Sequence, residues 1–244
     1  MRAMIARLLV LMPASLRSFV QRQHYKGLVA RFDLDREPDL RMAIDLVSPG
    51  DCVIDVGANI GTWSMVLSKH VGPRGKVIAI EPFPTTFGIL KSITASTENI
   101  VLYNVAMSDT EGTARMMMAY DSRGIRNHYL AAIHSGPGGT SVRKITLDLL
   151  AREHGLRPRF VKIDAEGHEL FIIRGGLRTI EECRPALCIE TDLNSPQSDG
   201  AQVRRLLEGL DYRVWVRDGS ALRLKTSADT AVNYFFLPRH LRAA

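Results

Sequence analysis

One strand–turn–helix segment constrains the fold of this chain more than any other feature of its sequence. Cys52 to Val56 form an apolar run that contains one acid, and the next five residues, Gly57 to Gly61, read G-A-N-I-G. A helix pattern follows, and then a second apolar run that ends at Glu81. Buried strands that alternate with helices are typical of parallel sheets, which bind ligands at the carboxyl ends of their strands. The sequence therefore predicts an α/β sheet with a binding crevice beside Gly57.

The spacing of the glycines and the acid indicates which ligand this crevice binds. A dinucleotide fingerprint reads G-x-G-x-x-G, and its second glycine lets the backbone approach a pyrophosphate. Asn59 occupies that place here, so the turn suits a nucleoside ligand without phosphates, such as S-adenosylmethionine. Glu81 follows Gly57 by about 24 residues, close to the offset of roughly 20 for an acid that binds ribose hydroxyls. We therefore expect S-adenosylmethionine as the cofactor.

The rest of the chain extends this pattern. Strand and helix patterns alternate over most of the 244 residues, which predicts a parallel sheet covered on both faces. Residues 113–146 interrupt the alternation with two additional strand patterns around a polar stretch. Long irregular inserts of this kind in a compact domain are usually functional or mobile.

Charge, cysteines and the N-terminus bear on partners and location. The net charge of +6 favours an anionic partner, but no RNA-binding module or basic–aromatic interleaving is visible, which argues against nucleic acid. Three cysteines without a C-x-x-C pair fit a reducing compartment, so we expect a cytoplasmic protein.

The apolar run at residues 8–12 is too short for a signal peptide or a membrane span. An amphipathic helix that covers the sheet edge or caps the pocket is the main interpretation, and peripheral docking on a membrane surface is the alternative.

Several short motifs occur in an order that resembles a known family. They read D-V-G-A-N-I-G at 55–61, E-P at 81–82, N-V-A-M-S-D at 104–109, T-L-D at 146–148, V-K-I-D-A-E-G-H-E at 161–169, and I-E at 189–190. Together they resemble the FkbM family of class I S-adenosylmethionine-dependent methyltransferases, from about residue 35 to residue 237. The resemblance implies a Rossmann-like class I methyltransferase fold, with a seven-stranded, mostly parallel sheet that has one antiparallel strand and helices on both faces.

The resemblance also implies a domain organisation and an activity. We expect an N-terminal helical extension over residues 1–34 and a methyltransferase domain over residues 35–244, with an insert at about 113–146. The expected activity is O-methylation of a hydroxyl on a small molecule or glycan, such as a glycolipid or polyketide-type acceptor. RNA or protein methylation, and cofactor binding without catalysis, are the alternatives.

Cofactor-binding residues are expected at the carboxyl ends of the first three strands. Asp55 can reach the methionine ammonium directly or through water, or it can cap the following helix. Asn59 is expected to bind the amino-acid end of the cofactor, and Glu81 its ribose. The loop after the third strand is the geometric candidate for adenine. The full expected set is Asp55, Gly57, Asn59, Gly61, Glu81, Ala106, Ser108 and Asp109.

A second concentration of polar residues follows the strand near residue 160. Asp164 and Glu166 are two residues apart, so both face one side of an extended segment. Methyl transfer to oxygen needs an aligned hydroxyl, and a positioned base typically adds about 10²–10⁴-fold in rate. Asp164 is the first candidate for this base and His168 the second, although Asp164 could instead orient the acceptor or hold the cofactor's ammonium. Glu190 follows another strand and is expected to border the same pocket, where it could bind acceptor hydroxyls.

The same side chains suggest a divalent cation as a further alternative. Hard cations prefer several carboxylate oxygens, and the available ligands are Asp164, Glu166, His168 and Glu190. The family resemblance does not imply a metal, so we expect no metal site and an activity that is independent of divalent ions.

Overall fold

The computed structural model describes residues 14–120, 126–134 and 138–241. Strands and helices alternate over most of this length. The strands are β1 (Cys52–Val56), β2 (Lys76–Ile80), β3 (Ile100–Tyr103), β4 (Ala106–Met107), β5 (Gly112–Tyr120), β6 (Arg126–His134), β7 (Thr140–Ile145), β8 (Pro158–Ile163), β9 (Ala186–Glu190), β10 (Tyr212–Asp218), β11 (Ala221–Leu224) and β12 (Asn233–Pro238). The helices are α1 (Ala14–Ala30), a 3-10 helix (Leu34–Arg36), α2 (Pro38–Asp45), α3 (Thr62–Val71), α4 (Pro84–Thr94), α5 (Leu147–His154), α6 (Glu169–Arg174), α7 (Leu177–Cys183) and α8 (Asp199–Gly209).

The main sheet has the strand order β11-β10-β12-β9-β8-β1-β2-β3 within the described residues. The five strands from β9 to β3 are parallel, whereas β12 is antiparallel to both of its neighbours. The predicted α/β class with a mostly parallel sheet is therefore confirmed.

The strand count differs from the prediction, because β11 adds an eighth strand. It pairs antiparallel with β10 after a two-residue turn at Gly219 and Ser220. The side chains of β11 are mostly exposed at this sheet edge. At four residues, most of them exposed, this strand is too short to give a distinct strand pattern in the sequence.

The insert forms a second sheet with the order β4-β7-β5-β6. The sequence predicted two strands here, and the structure contains both, as β5 and β7. It also contains β6, which lies within the stretch described as polar and pairs antiparallel with β5. Its centre, Y-L-A-A-I at 129–133, is a short apolar run within a segment that is otherwise polar and rich in glycine. Because β4 comes directly after β3, the second sheet lies beside the carboxyl end of the main sheet.

Two apolar clusters pack on the main sheet, and they divide the side chains of each strand. Val53 of β1 packs with Leu67 of α3 in one cluster, and the next residue, Ile54, belongs to the other cluster together with Ile173 of α6. This alternation follows from the two-residue repeat of a strand. Packing on both faces holds the strands firmly, so the residues that follow β1, β2, β8 and β9 have fixed positions.

Helix α1 packs near the glycine turn through a smaller cluster. Val29 contacts Ile60 and the α4 residues Ile89 and Ile93. Residues 1–13, which contain much of the predicted amphipathic pattern, lie outside the described residues. None of the helices described here has the length and apolar character needed to cross a membrane.

Candidate active site

Two adjoining cavities lie at the carboxyl ends of β1, β2, β8 and β9. The smaller has a volume of about 280 Å³ and is lined by Glu81, Ala106 and His168, among others. The larger has a volume of about 1060 Å³ and extends to α1 and the residues that follow it. The residues that line both cavities are Gly57, Asn59, Asp164 and Glu190.

The glycine turn brings the end of β1 against the end of β8. Gly57 has a φ of +76°, and a Cβ atom there would lie 1.9 Å from the carbonyl oxygen of Asp164. Gly61 has a φ of +94°, and a Cβ atom there would lie 2.6 Å from Leu90 of α4. Both positions therefore require glycine, one for contact with β8 and the other for helix packing. Asn59, between them, also has a left-handed backbone, with a φ of +51°.

Glu81 is buried after the end of β2, where two backbone N–H groups hold its carboxylate. Phe83 N donates to Oε1 at 2.8 Å, and Asn59 N donates to Oε2 at 3.1 Å. Burial raises the pKa of Glu81 to about 7, against the effect of these two donors. Each carboxylate oxygen can accept a further hydrogen bond. Glu81 is therefore fixed in orientation and still able to bind hydroxyl groups in the smaller cavity.

The loop after β4 differs in part from the expected adenine site. Ala106 and Met107 line the smaller cavity, but Ser108 and Asp109 line neither cavity. The Ser108 hydroxyl lies 3.0 Å from His168 Nε2 and 3.2 Å from the Asp109 carboxylate. Ser108 and Asp109 thus hold the ring of His168 in place from behind the cavity wall.

His168 is itself part of that wall. Its ring stacks on Phe171 with a centroid distance of 4.5 Å, and burial lowers its pKa. One ring nitrogen is already engaged by Ser108. The ring is therefore neutral at ordinary pH and is held towards the β4 side of the site.

Lys162 is the residue that sequence reasoning missed. It is buried in β8 and lies directly opposite Asp55 in the pairing of β1 with β8. Its Nζ is 3.0 Å from Asp164 Oδ2 and 3.8 Å from Asp55 Oδ1. Burial alone would lower the pKa of Lys162, but the two carboxylates raise it well above its ordinary value. The sequence did contain a signal for this residue, namely a lysine inside the apolar run 160–163. Lysine is rarely fully buried unless it is paired, so a buried lysine there indicates a nearby carboxylate.

Asp55 does not occupy the predicted position beside the cofactor. It is fully buried and lines neither cavity. Its Oδ2 accepts a hydrogen bond of 2.6 Å from the Ser64 hydroxyl, in the first turn of α3. This contact ties Asp55 to the start of α3 without itself capping the helix, since the donor is a side-chain hydroxyl and the N-cap residue is Gly61. Lys162 and Ser64 thus provide the partners of Asp55 beneath the glycine turn.

Glu190 ends β9 and is half-buried where the two cavities meet. Burial, with repulsion from Asp164 and Glu166, raises its pKa to about 7. The neighbouring turn is fixed by Glu169, whose Oε1 accepts hydrogen bonds from Ala165 N and Gly167 N at 3.1 and 3.0 Å.

In the described part of the chain, no group of three or more His, Cys, Asp or Glu side chains is arranged to hold a metal ion.

The sequence between residues 55 and 214 matches the Methyltransferase FkbM domain. The chain belongs to the FkbM methyltransferase family. A crystal structure of Methyltransferase FkbM from Methylobacillus flagellatus KT has the same fold, with a TM-score of 0.53 and 18% sequence identity over 78% of this chain and 44% of that one. The predicted Rossmann-like class I methyltransferase fold is thus confirmed.

Sequence relatives carry two kinds of name. Hexuronic acid methyltransferase AglP from Haloferax volcanii is 27% identical over 146 residues, which are 59% of this chain and 57% of AglP. Ribosomal RNA large subunit methyltransferase E from Sorangium cellulosum is 29% identical over 144 residues, which are 52% of this chain and 68% of that protein. The same-named protein from Nitrosomonas eutropha is 36% identical over 64 residues, which are 26% of this chain and 31% of that protein. The chain therefore spans little more than half the length of AglP.

S-adenosylmethionine is the cofactor of this family, as the glycine spacing predicted. The residues present fit it. The oriented carboxylate of Glu81 suits a ribose diol, the apolar walls at Ala106 and Met107 suit adenine, and the bend at Gly57 leaves room for an amino-acid group.

Proposed function

We propose that this protein is an O-methyltransferase that acts on a hydroxyl of a small molecule or sugar, such as a glycolipid or polyketide-type acceptor. The observation that carries this proposal is the position of Asp164 and Glu190, whose side chains line both cavities. The smaller cavity has the features of a cofactor site, so the larger one is assigned to the acceptor. Two carboxylates then stand where an acceptor hydroxyl would approach the methyl donor.

The cofactor roles follow from the smaller cavity. Glu81 binds the ribose hydroxyls, Ala106 and Met107 border adenine, and Gly57 and Asn59 bind the amino-acid end. The other residues of the predicted cofactor-binding set do not contact the cofactor themselves. They support the glycine turn or the wall of the smaller cavity, and so hold the contacting residues in place. These supporting residues are Asp55 and Gly61 at the turn, and Ser108 and Asp109 behind His168.

Asp164 is the proposed proton acceptor. S-adenosylmethionine supplies an electrophilic methyl group when bound. The Asp164 carboxylate orients the acceptor hydroxyl and takes its proton, which makes the hydroxyl oxygen a stronger nucleophile. Lys162, 3.0 Å away, keeps this carboxylate in one position. Glu190 binds the acceptor beside it, and His168, engaged by Ser108, serves the cofactor side.

A sugar is the acceptor class that the larger cavity fits best. Its lining includes Asn233, Arg31, Arg36 and several carboxylates, and such groups pair well with multiple hydroxyls. The relative named as a hexuronic acid methyltransferase supports a sugar acid, and either arginine offers a charged partner for its carboxylate.

RNA is the second candidate, because two relatives are named as ribosomal RNA methyltransferases. The larger cavity carries both signs of charge, since Asp33, Glu37, Asp164 and Glu190 line it together with Arg31, Arg36 and Lys162. It is therefore not the continuous basic surface on which RNA binding depends.

Transfer of a labelled methyl group tests the proposal. The purified protein would be incubated with methyl-labelled S-adenosylmethionine and, separately, with methyl glucuronides, neutral methyl glycosides, phenolic polyketides and ribosomal RNA. We expect a methyl ether on a sugar or phenol, identified by mass spectrometry and NMR, and no change when a chelator is added. Label in RNA alone would refute the small-molecule acceptor. Cofactor binding without transfer to any acceptor would favour the non-enzymatic alternative.

A further inference from the structure

The larger cavity has a wall that lies outside the family match. Residues between Gln23 and Glu37 form this wall, whereas the match begins at residue 55. The opposite wall contains Lys162, Asp164 and Glu190. An acceptor in this cavity would therefore contact residues inside the family match on one wall and residues outside it on the other.

Glu37 is the N-terminal residue on this wall whose carboxylate has no structural task. It is half-buried and occupies the N-cap position of α2, yet its side chain makes no capping hydrogen bond. Among the described residues, no hydrogen bond or ion pair involves its carboxylate. Glutamate is not a favoured N-cap residue. The side chain is thus left available to the cavity that it lines.

The backbone of Glu37 is nevertheless firmly held. Pro38 occupies the first turn of α2, and Asp39 binds two residues of the main sheet. Arg217 Nε lies 3.0 Å from Asp39 Oδ1, and Asn233 Nδ2 lies 3.0 Å from Asp39 Oδ2. Asn233 is in turn paired with Glu190 across β12 and β9. The position of Glu37 is therefore fixed relative to the strand that carries Glu190.

Electrostatics link Glu37 to the same groups. Burial raises the pKa of Glu37, repulsion from Asp39 and Asp164 raises it further, and attraction to Lys162 lowers it. Glu37 thus shares one electrostatic environment with the proposed proton acceptor, although it comes from a different part of the chain.

We propose that Glu37 is a positioning residue for the acceptor and that the acceptor is a polyol with neighbouring hydroxyls. One hydroxyl faces Asp164 and is methylated, while an adjacent hydroxyl donates a hydrogen bond to the Glu37 carboxylate. A sugar ring presents hydroxyls in this way, and a simple phenol does not. This inference rests on the proposed function, because it assigns the larger cavity to the acceptor.

The test compares Glu37→Gln with Asp35→Asn and the wild type. Asp35 is an exposed carboxylate of the same segment that does not line the cavity, so its variant controls for the loss of a charge. The probes are methyl glucuronide and methyl glucoside with labelled S-adenosylmethionine. For Glu37→Gln we expect kcat/KM to fall by about 10- to 100-fold, mainly through KM, as for a lost hydrogen bond to a charged group. Cofactor affinity by calorimetry should not change, and Asp35→Asn should behave as the wild type.

Deoxy acceptors give a readout that a structural role would not change. Once the methylated position is known, analogues that lack one neighbouring hydroxyl are assayed with the wild type and with Glu37→Gln. One such analogue should lower kcat/KM of the wild type by a similar 10- to 100-fold and have little effect on the variant, because both changes remove the same contact. If Glu37→Gln does not fold, the same comparison with Glu37→Asp serves, since its shorter carboxylate weakens the contact.

The outcomes separate this inference from the proposed function. If the wild type methylates sugars and the losses from Glu37→Gln and from each deoxy analogue are additive, the inference fails and the proposed function stands. If the wild type methylates only acceptors with a single hydroxyl, the inference also fails. If it methylates only RNA, the proposed function fails as well.

Discussion

The ammonium nitrogen of Lys162 lies 3.0 Å from a carboxylate oxygen of Asp164. The same nitrogen lies 3.8 Å from Asp55, so one buried cation connects the support of the glycine turn to the proposed catalytic carboxylate. Removing one partner of a buried ion pair leaves an uncompensated charge.

Lys162→Met should destabilise the protein, because Asp55 would remain buried without its cation. We expect a loss of about 3–5 kcal/mol in the free energy of unfolding, measured by urea denaturation. Lys69→Met, which changes an exposed lysine of α3, should stay within about 0.5 kcal/mol of the wild type. The double variant Asp55→Asn with Lys162→Met should recover part of the loss. Equal stability of Lys162→Met and Lys69→Met would show that the pair contributes little.

Glu81→Ala should weaken cofactor binding, since it removes charge-assisted hydrogen bonds to the ribose. The expected loss is roughly 2–3 kcal/mol, measured by calorimetry with S-adenosylhomocysteine. Glu98→Ala, at an exposed position of the same charge type, is the matched control and should bind normally. Undiminished affinity in the Glu81 variant would remove this residue from the cofactor site.

Cofactor affinity should depend on pH near neutrality. The pKa of Glu81 is raised to about 7, so its carboxylate is mostly protonated in the free protein below that pH. Because the ionised form accepts hydrogen bonds from both ribose hydroxyls, affinity should rise with pH up to about 7 and fall by up to tenfold per unit below it. Calorimetry in buffers of different ionisation enthalpy should detect proton release on binding at about pH 6. In Glu81→Gln, whose affinity is lower, this dependence should disappear. Persistence of the same slope would assign it to another group.

Asp164→Asn should lower turnover by about 10²–10⁴-fold, because the amide keeps the shape but cannot accept the proton. Cofactor affinity should change little. His168→Ala is the comparison variant, and it should affect mainly cofactor affinity, since its ring lies on the cofactor side with Ser108. A collapse of affinity in Asp164→Asn would instead indicate that Asp164 holds the cofactor's ammonium. Near-normal turnover in that variant, with a collapse in His168→Ala, would move the base to the histidine.

Gly57→Ala should destabilise the protein more than Gly72→Ala. Both glycines have positive φ angles, +76° and +67°, but only a Cβ atom at Gly57 would meet another atom, the carbonyl oxygen of Asp164 at 1.9 Å. Gly72 has a ψ of −174°, a backbone conformation that strongly disfavours any side chain, so its variant already carries a high strain cost. A larger loss in Gly57→Ala therefore gives a lower limit for the clash, which we expect to cost about 1–3 kcal/mol or more. Chemical denaturation of both variants would measure it, and equal losses would mean that the turn can move away from β8.

Local patterns explain why much of the fold could be predicted from the sequence. β1 and β9 lie where apolar runs predicted them, and Glu81 lies after β2 in the smaller cavity. Strand β6 was missed because its apolar centre, Y-L-A-A-I at 129–133, is flanked by polar and glycine-rich residues. The edge strand β11 was missed because it is short and defined by pairing with its neighbour. Sequence periodicity carries no record of such pairing.

The site was less predictable because its side chains are oriented by residues that are distant in the sequence. Asp55 could face the cofactor or the protein interior, and the choice depends on Lys162 in a strand that follows much later. Glu37 carried no local signal, since its place in the cavity comes from the docking of Asp39 on β10 and β12. Contacts of this kind arise only from the tertiary fold.

The two walls of the larger cavity can have separate evolutionary histories. The wall with Asp164 and Glu190 belongs to the segment that matches the family, and it carries the proposed proton acceptor, so changes there put methyl transfer itself at risk. The wall between Gln23 and Glu37 touches the cavity without forming any strand of the main sheet. With the larger cavity assigned to the acceptor as proposed, we expect that exchange of this stretch between relatives would change acceptor choice and leave the strands that carry Glu81 and Asp164 unchanged, so it is a suitable junction for chimeric enzymes.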